Sequence, residues 1–236
     1  MNDARGVRLL FWPGWRQLAF AFLVGSAEAV LFGIVYGGTN WIANQHSWRI
    51  TAHTPLDLEI PFVPAATVVY LSLNPMLWTM AFVLRTRREI VAFVGTLAAA
   101  TLVAGVFFLV LPAAHAYRTP SAADLGAWQG WYQVMRMVAL EHNYLPSLHV
   151  AFVTICVRVL MRYRGWRERA IVLVWGGAIV VSTLLTHQHY LLDVITGFML
   201  GWIAVSVGYD RWRQPSIAGE EQRHLPSRSS DRATLA

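Results

Sequence analysis

The chain has 236 residues, 56 % hydrophobic and 14 % charged, with a formal net charge of +6. That apolar excess excludes an ordinary soluble domain, and the long uncharged runs call for several membrane-crossing helices. The positive charge sits in short clusters between apolar runs, which is the distribution of membrane loops and argues against a nucleic-acid partner.

A segment over 1–17 carries Arg5, Arg8 and Arg16. The apolar stretch after it runs from about Leu18 to Trp41, too long for the core of a secretory signal, so it reads as a retained helix over 18–40. Glu28 near its middle is costly in a membrane. It reads as half of a structural pair, with Arg158 as a candidate partner, or as a protonated hydrogen bond; a gate or proton-handling role is the alternative. A second span over 61–84 contains Asn74-Pro75, the mark of a kink. A third covers 90–112 and is followed by a long loop, 113–146.

Three further spans follow at 147–163, 169–187 and 190–209, the last two forming a tight hairpin. Each approaches the length that crosses a hydrocarbon core of about 30 Å at 1.5 Å per residue. Cys156 has no partner for a disulfide and reads as a packing residue. The tail, 210–236, is polar after about Gln214 and reads as disordered. The expected fold is therefore all-α: a six-transmembrane-helix bundle over 18–209.

The arginines orient it. No lysine occurs, and strict alternation of six spans puts sixteen of the nineteen arginines on one side, leaving only Arg49, Arg118 and Arg136 on the other. The positive-inside bias then sets both termini in the cytoplasm and turns the loops 41–60 and 113–146, with His187 and His189, to the exterior. The localisation expected is a bacterial-type inner membrane with its site facing the periplasm. Tryptophans near span ends fit interfacial anchors.

Two short stretches carry chemistry. In "STLLTHQHYLLDVITGF" (182–198), His189 and Asp193 stand four apart, so on one helix they share a face and the carboxylate can hold one imidazole nitrogen. That arrangement makes a general base or a nucleophile. It also fits a structural pair closing the hairpin, although ionisable groups inside a membrane default toward function. In "NYLPSLHVAF" (143–152), Pro146 and Ser147 open a helix whose free N–H groups form a natural anion cradle, with His149 a half-turn in. A capped helix start with an interfacial histidine is the bland alternative. His46, His53, His115, His142 and His224 read as solvated loop or tail residues.

Together these stretches resemble the phosphatidic acid phosphatase type 2 (PAP2) superfamily of membrane phosphatases and phosphotransferases. Its Pro-Ser-Gly-His motif is matched by Pro146, Ser147 and His149, with Leu148 in place of glycine. Its Ser-Arg-x5-His-x3-Asp motif is matched by Ser182, His189 and Asp193, with Thr183 at the arginine. Its Lys-x6-Arg-Pro motif is reduced to Arg118 before Thr119-Pro120, with Leu111 at the lysine. These variants look most like the inositol phosphorylceramide synthase-like branch.

The resemblance implies phosphoryl transfer through a phosphohistidine. His189 would be the nucleophile, Asp193 its orienting group and His149 the acid and base. Ser147, Arg118, more weakly Arg136, and His187 would grip the phosphate. No metal or other cofactor is implied. The partners expected are a phosphorylated lipid and the surrounding membrane lipids, with hydrolysis and head-group transfer both open. A catalytically lapsed lipid transporter or scaffold is the second reading. The third is a haem or metal carrier using His149, His187 and His189, for which two histidines one residue apart are poor paired ligands.

Overall fold

A computed structural model describes residues 11–45, 47–140, 142–163 and 165–213. Arg5, Arg8, Arg164, His46, His224 and the expected disordered tail from Gln214 lie outside the described residues. Within them the chain is helical throughout, and its one isolated β-bridge joins Ile50 to Ala113 in parallel. The elements are α1 (Trp15–Asn44), α2 (Pro55–Leu58), α3 (Ala66–Leu71), α4 (Leu73–Thr79), α5 (Arg87–Val110), α6 (Ala122–Leu125), α7 (Gln129–Val138), α8 (Leu148–Leu160), α9 (Trp166–Leu185), α10 (Leu191–Ala204) and α11 (Asp210–Trp212).

All six expected spans are helical, but only four are long and apolar enough to cross a membrane on those grounds alone: α1, α5, α9 and the run Leu191–Trp212. The runs Ala66–Phe82 and Leu148–Leu160 are shorter. For the second there is a physical reason. Val150, Ala151, Ile155, Cys156 and Val159 of α8 are 0 % exposed, so neighbouring helices surround it. At about 1.5 Å per residue its 13 residues reach only about 20 Å, and a helix that meets little lipid need not match the bilayer.

The kink in the second span has an atomic cause. Pro75 has no N–H to offer the Leu71 carbonyl four residues back, and the helix breaks at Ser72. Asn74 repairs part of the loss, its Nδ2 donating to the Leu71 oxygen at 3.2 Å. Glu28 pairs with Thr101, whose hydroxyl donates to Oε1 at 3.3 Å and ties α1 to α5. Arg158 is engaged elsewhere, donating to the Trp202 carbonyl at 2.5 Å and to Ser206 Oγ at 3.0 Å.

Small residues set the distances between helices, as packing inside a membrane requires. A β-carbon on Gly105 would lie 2.5 Å from Val35 Cγ1, so α1 and α5 cross there. The spacing Gly197-x3-Gly201 does the same for α10 against α8. A β-carbon on Gly201 would lie 2.5 Å from the Ala151 carbonyl oxygen, and one on Gly197 would collide with the Ser147 carbonyl.

At one end of the bundle the loops are stitched together. Ile50 N–H donates to Pro112 O at 2.9 Å, Ala114 N–H to Ile50 O at 2.9 Å, and Val63 N–H to Leu185 O at 2.8 Å. At the other end, Arg162 pairs with Asp210, and Arg88 Nε donates to Trp212 O at 3.0 Å.

Candidate active site

The chemistry-bearing residues gather at the stitched end, around the start of α10. His189 does not share a helical face with Asp193 as expected, because α10 begins only at Leu191. The chain from Thr186 to Tyr190 turns back on α9, with the N–H groups of Gln188 and His189 both donating to Thr183 O at 3.0 and 3.2 Å. Asp193, in the first turn of α10, folds back to cap it. Its Oδ2 accepts Tyr190 N–H at 2.9 Å and stands 3.5 Å from His189 Nδ1. One carboxylate therefore both starts the helix and faces the imidazole. Thr183, at the arginine position of the family motif, is fully buried. Its hydroxyl donates to Val180 O at 2.7 Å, so the residue closes the turn and presents no charge.

Ser147 begins α8 as expected of a cap, its Oγ accepting Val150 N–H at 3.2 Å. Its own N–H donates to Asp193 O at 3.1 Å, and Gly197 lets its carbonyl lie flat on α10. The starts of α8 and α10 are thus in backbone contact. His149 stacks on Tyr70 with ring centroids 3.9 Å apart and directs Nε2 at the Tyr70 carbonyl, 3.1 Å away.

The expected phosphate ligands divide. Arg136, near the end of α7, is half-buried, and α7 packs on α3, the helix that carries Tyr70. Tyr70 carries His149, and Tyr144 sets its edge on His189 at 6.1 Å. Arg136 therefore lies on the side of the histidine cluster. Arg118 does not. Its side chain is 75 % exposed and its Nη2 donates to Asp124 Oδ2 at 2.9 Å. It lines an open cavity of about 420 Å³ together with Leu58, Phe62, Tyr117 and His187.

His187 holds this cavity's inner wall. Its backbone adopts φ 55°, a left-handed conformation uncommon outside glycine, which the sharp reversal after α9 imposes. The ring stacks on Tyr117 at 3.9 Å, and Nε2–H donates to Ile60 O at 2.9 Å. Partial burial holds its pKa below the ordinary imidazole value against the opposing effect of that bond. His187 is thus a neutral donor in an aromatic stack.

Sequence reasoning missed Asp57, which is fully buried. Its Oδ1 accepts Leu191 N–H at 2.7 Å, a second cap on α10, while Oδ2 accepts the N–H and hydroxyl of Thr54, both at 2.7 Å. Burial pushes its carboxyl up, but these bonds and the nearby His53 hold it below the usual carboxylate range. The signal was the Thr54-Pro55-x-Asp57 capping box, which marks a helix start in an otherwise featureless loop. Also missed were Tyr117, Tyr144 and Tyr190, each adjacent in sequence to a flagged stretch or residue. Tyr190 stacks on Tyr117 at 5.0 Å and packs on Tyr144 at 5.4 Å, and its hydroxyl accepts Ala116 N–H at 2.7 Å. Among the described loop histidines expected to be solvated, His115 is exposed while His53 and His142 are half-buried, and all three make contacts. His115 Nδ1 meets Tyr144 OH at 2.5 Å, His142 Nε2 meets Asn44 Oδ1 at 2.8 Å, and His53 packs on Tyr190 at 5.6 Å.

Among the described residues, no group of three or more His, Cys, Asp or Glu side chains converges as metal ligands would. His149, His187 and His189, the ligands of the haem or metal reading, each face a different partner: Tyr70 O, Ile60 O and Asp193.

A family model described as the PAP2 superfamily matches residues 42–207, which contain every side chain of this site. No curated protein matches the chain.

Proposed function

Because the chain belongs to the PAP2 superfamily, a family of phosphatase-type membrane proteins, we propose that it cleaves or transfers the phosphate group of a lipid through a phosphohistidine on His189. The observation that carries this reading is the buried His189–Asp193 pair in backbone contact, through Asp193 O, with the capped start of α8. Nδ1 faces the carboxylate, so the Nε2 lone pair is the one left to attack phosphorus. As the Nε2–P bond forms, the bond from phosphorus to the leaving oxygen breaks, and His149 supplies that oxygen with a proton. His149 Nε2–H is committed to Tyr70 O, so the ring enters this half doubly protonated and gives up its Nδ1 proton, leaving the neutral Nε2–H tautomer. In the second half, His149 Nδ1 takes a proton from water or an acceptor hydroxyl, whose oxygen displaces the imidazole and regenerates His189.

Charge on the phosphate oxygens is balanced by Arg136, the α8 N–H groups and the Ser147 hydroxyl. Arg136 takes first place over Arg118, whose exposed guanidinium and His187 instead fit the mouth through which the head group passes. Leu148 and Thr183, at family motif positions, favour the inositol phosphorylceramide synthase-like branch, where transfer competes with hydrolysis. Six crossings with both termini cytoplasmic and the site outward fit the arginines. Among the described residues, Arg49, Arg118 and Arg136 lie in segments at the site end, and the remainder lie toward the opposite end.

The test is a rapid quench with a lipid labelled at its phosphate. The expected result is protein-bound label that is acid-labile, base-stable and absent from His189→Ala. Turnover without such an intermediate would overturn the mechanism. A folded protein that turns over no phosphorylated lipid would leave the transporter or scaffold reading.

A further inference from the structure

A second cavity, of about 480 Å³, runs down the membrane-embedded side of the site and is almost wholly apolar. Ala99, Val103 and Phe107 of α5 form one wall, and Met199 and Ile203 of α10 the other. Phe107, Met199 and Ile203 are about half exposed, so the groove opens sideways to lipid. Its polar wall residue is Thr196, whose hydroxyl already donates to the Leu192 and Asp193 carbonyls at 2.8 and 3.2 Å. The groove offers hydrocarbon contact and no recognition of a head group.

Its two ends differ. At the top it is lined by Leu111, Leu145 and Pro146. Pro146 precedes Ser147, and Thr196 lies one turn beyond Asp193, so the groove begins beside the phosphate cluster. At the bottom stands Trp212. The turn Val205–Tyr209 is π-helical, so it takes up an extra residue and rotates the last helical turn, α11, about the axis. The Trp212 indole lands on two glycines. A β-carbon on Gly95 would lie 3.0 Å from its Cζ3, and one on Gly208 would lie 3.5 Å from the same atom. Arg88 holds the Trp212 backbone from below.

Resting on the phosphoryl-transfer reading, we propose that this groove receives one hydrocarbon chain of the substrate and that Trp212 is the stop that sets its greatest length. From Leu111 down to Ala99, and from Thr196 to Gly208, the walls span about 18 Å at 1.5 Å per residue. That is close to one leaflet of a core about 30 Å thick. An extended chain with bonds of about 1.5 Å near the tetrahedral angle advances roughly 1.3 Å per carbon, so about 14 carbons fit above the indole. Continuity identifies the occupant: a lipid whose phosphate is at His189 has its first carbons at Leu145 and Pro146, with the groove leading down.

The experiment compares phosphorylated lipids of one head group and graded chain length, shorter than, equal to and longer than about 14 carbons, in nanodiscs. For the wild type, kcat/KM should fall about tenfold once the chain exceeds the groove, the scale on which an apolar pocket rejects added methylenes. Trp212→Ala should move that limit to longer chains and Ala99→Phe to shorter ones. Identical profiles in all three proteins would overturn the proposal. Binding is tested independently of turnover in His189→Ala, using a lipid of that length with a diazirine at its chain end. Labelling concentrated around Trp212, Ala99 and Ile203 is expected. Labelling scattered over all lipid-facing helices, or absent, overturns the groove. Absence of turnover in wild type with localised labelling would sink the phosphoryl-transfer reading and spare the groove.

Discussion

The histidine cluster and the Arg118 cavity lie at the same end of the bundle, are joined through the Tyr117–Tyr190–Tyr144 aromatic contacts, and are built on opposite terms. His189 is 6 % exposed and Asp193 is fully buried; His189 N–H donates to Thr183 O at the end of α9, and Asp193 O accepts Ser147 N–H at the start of α8. Arg118 is mostly exposed and held by one carboxylate on its own loop. A nucleophile works through fixed geometry away from competing water, whereas a guanidinium on an open rim steers and orients. On the proposed reaction, that difference would separate catalysis from recognition, and mutations in the two regions should diverge.

The sharpest break is His189→Ala. It should lower kcat by at least about 10^4-fold, since removing a nucleophile leaves only binding and electrostatics. Phosphate release from a lipid substrate by protein that still melts cooperatively is the measurement. Asp193→Asn comes next. The carboxamide oxygen can still cap Tyr190 N–H, but the charge facing His189 is gone, and a loss of about 10^2- to 10^4-fold is expected. A loss under tenfold would mean that Asp193 acts chiefly as a helix cap.

The two arginines then test the comparison directly. Arg136→Gln should reduce kcat by about 10- to 100-fold, on the scale of removing one charged donor from a developing phosphate. Arg118→Gln should change kcat by less than about threefold and act mainly on KM, because an exposed ion pair contributes little. If Arg118→Gln proves the more damaging to kcat, the division between the regions is wrong and the open cavity holds the phosphate.

Much of this division was invisible in the sequence, for identifiable reasons. Apolar runs located the four long helices and the two shorter apolar ones, since hydrophobicity is a local property, and Asn74-Pro75 disclosed its kink because the missing N–H is local too. The helix start at Pro146-Ser147 was legible from capping chemistry. What failed was whatever depends on where α10 begins. Four-residue spacing suggested a shared face for His189 and Asp193, yet Asp193 is a capping residue and His189 precedes the helix. The geometry survives by a different route, a carboxylate folding back. Motif position put Arg118 ahead of Arg136, since spacing does not encode the packing of α7 on α3, whose Tyr70 carries His149. Asp57 lay in a loop whose contact with Leu191 spans more than a hundred residues.

The smallest effect concerns the loops that hold both regions in place, and two titrating groups set its sign. His187 has a folded pKa lowered mainly by burial, so as pH falls the unfolded chain takes up a proton first. Its contribution to stability is complete above the ordinary imidazole value of 6.5 and is lost progressively below it. Asp57 is held below its ordinary value of 3.8 once its hydrogen bonds outweigh burial. Its contribution is present above that value and lost as pH falls through the lowered one. Both groups destabilise the fold in acid, in successive windows. Melting temperature followed in nanodiscs should therefore drop slightly from neutral pH toward about pH 5 and again below about pH 4. His187→Asn tolerates the left-handed backbone and cannot titrate, so it should flatten the first decline while leaving the second. Asp57→Asn keeps an acceptor for Leu191 N–H and should lose the second alone. If His187→Asn retains the wild-type slope between pH 7 and 5, the decline does not arise at His187, and the open cavity has no part in holding the buried one together.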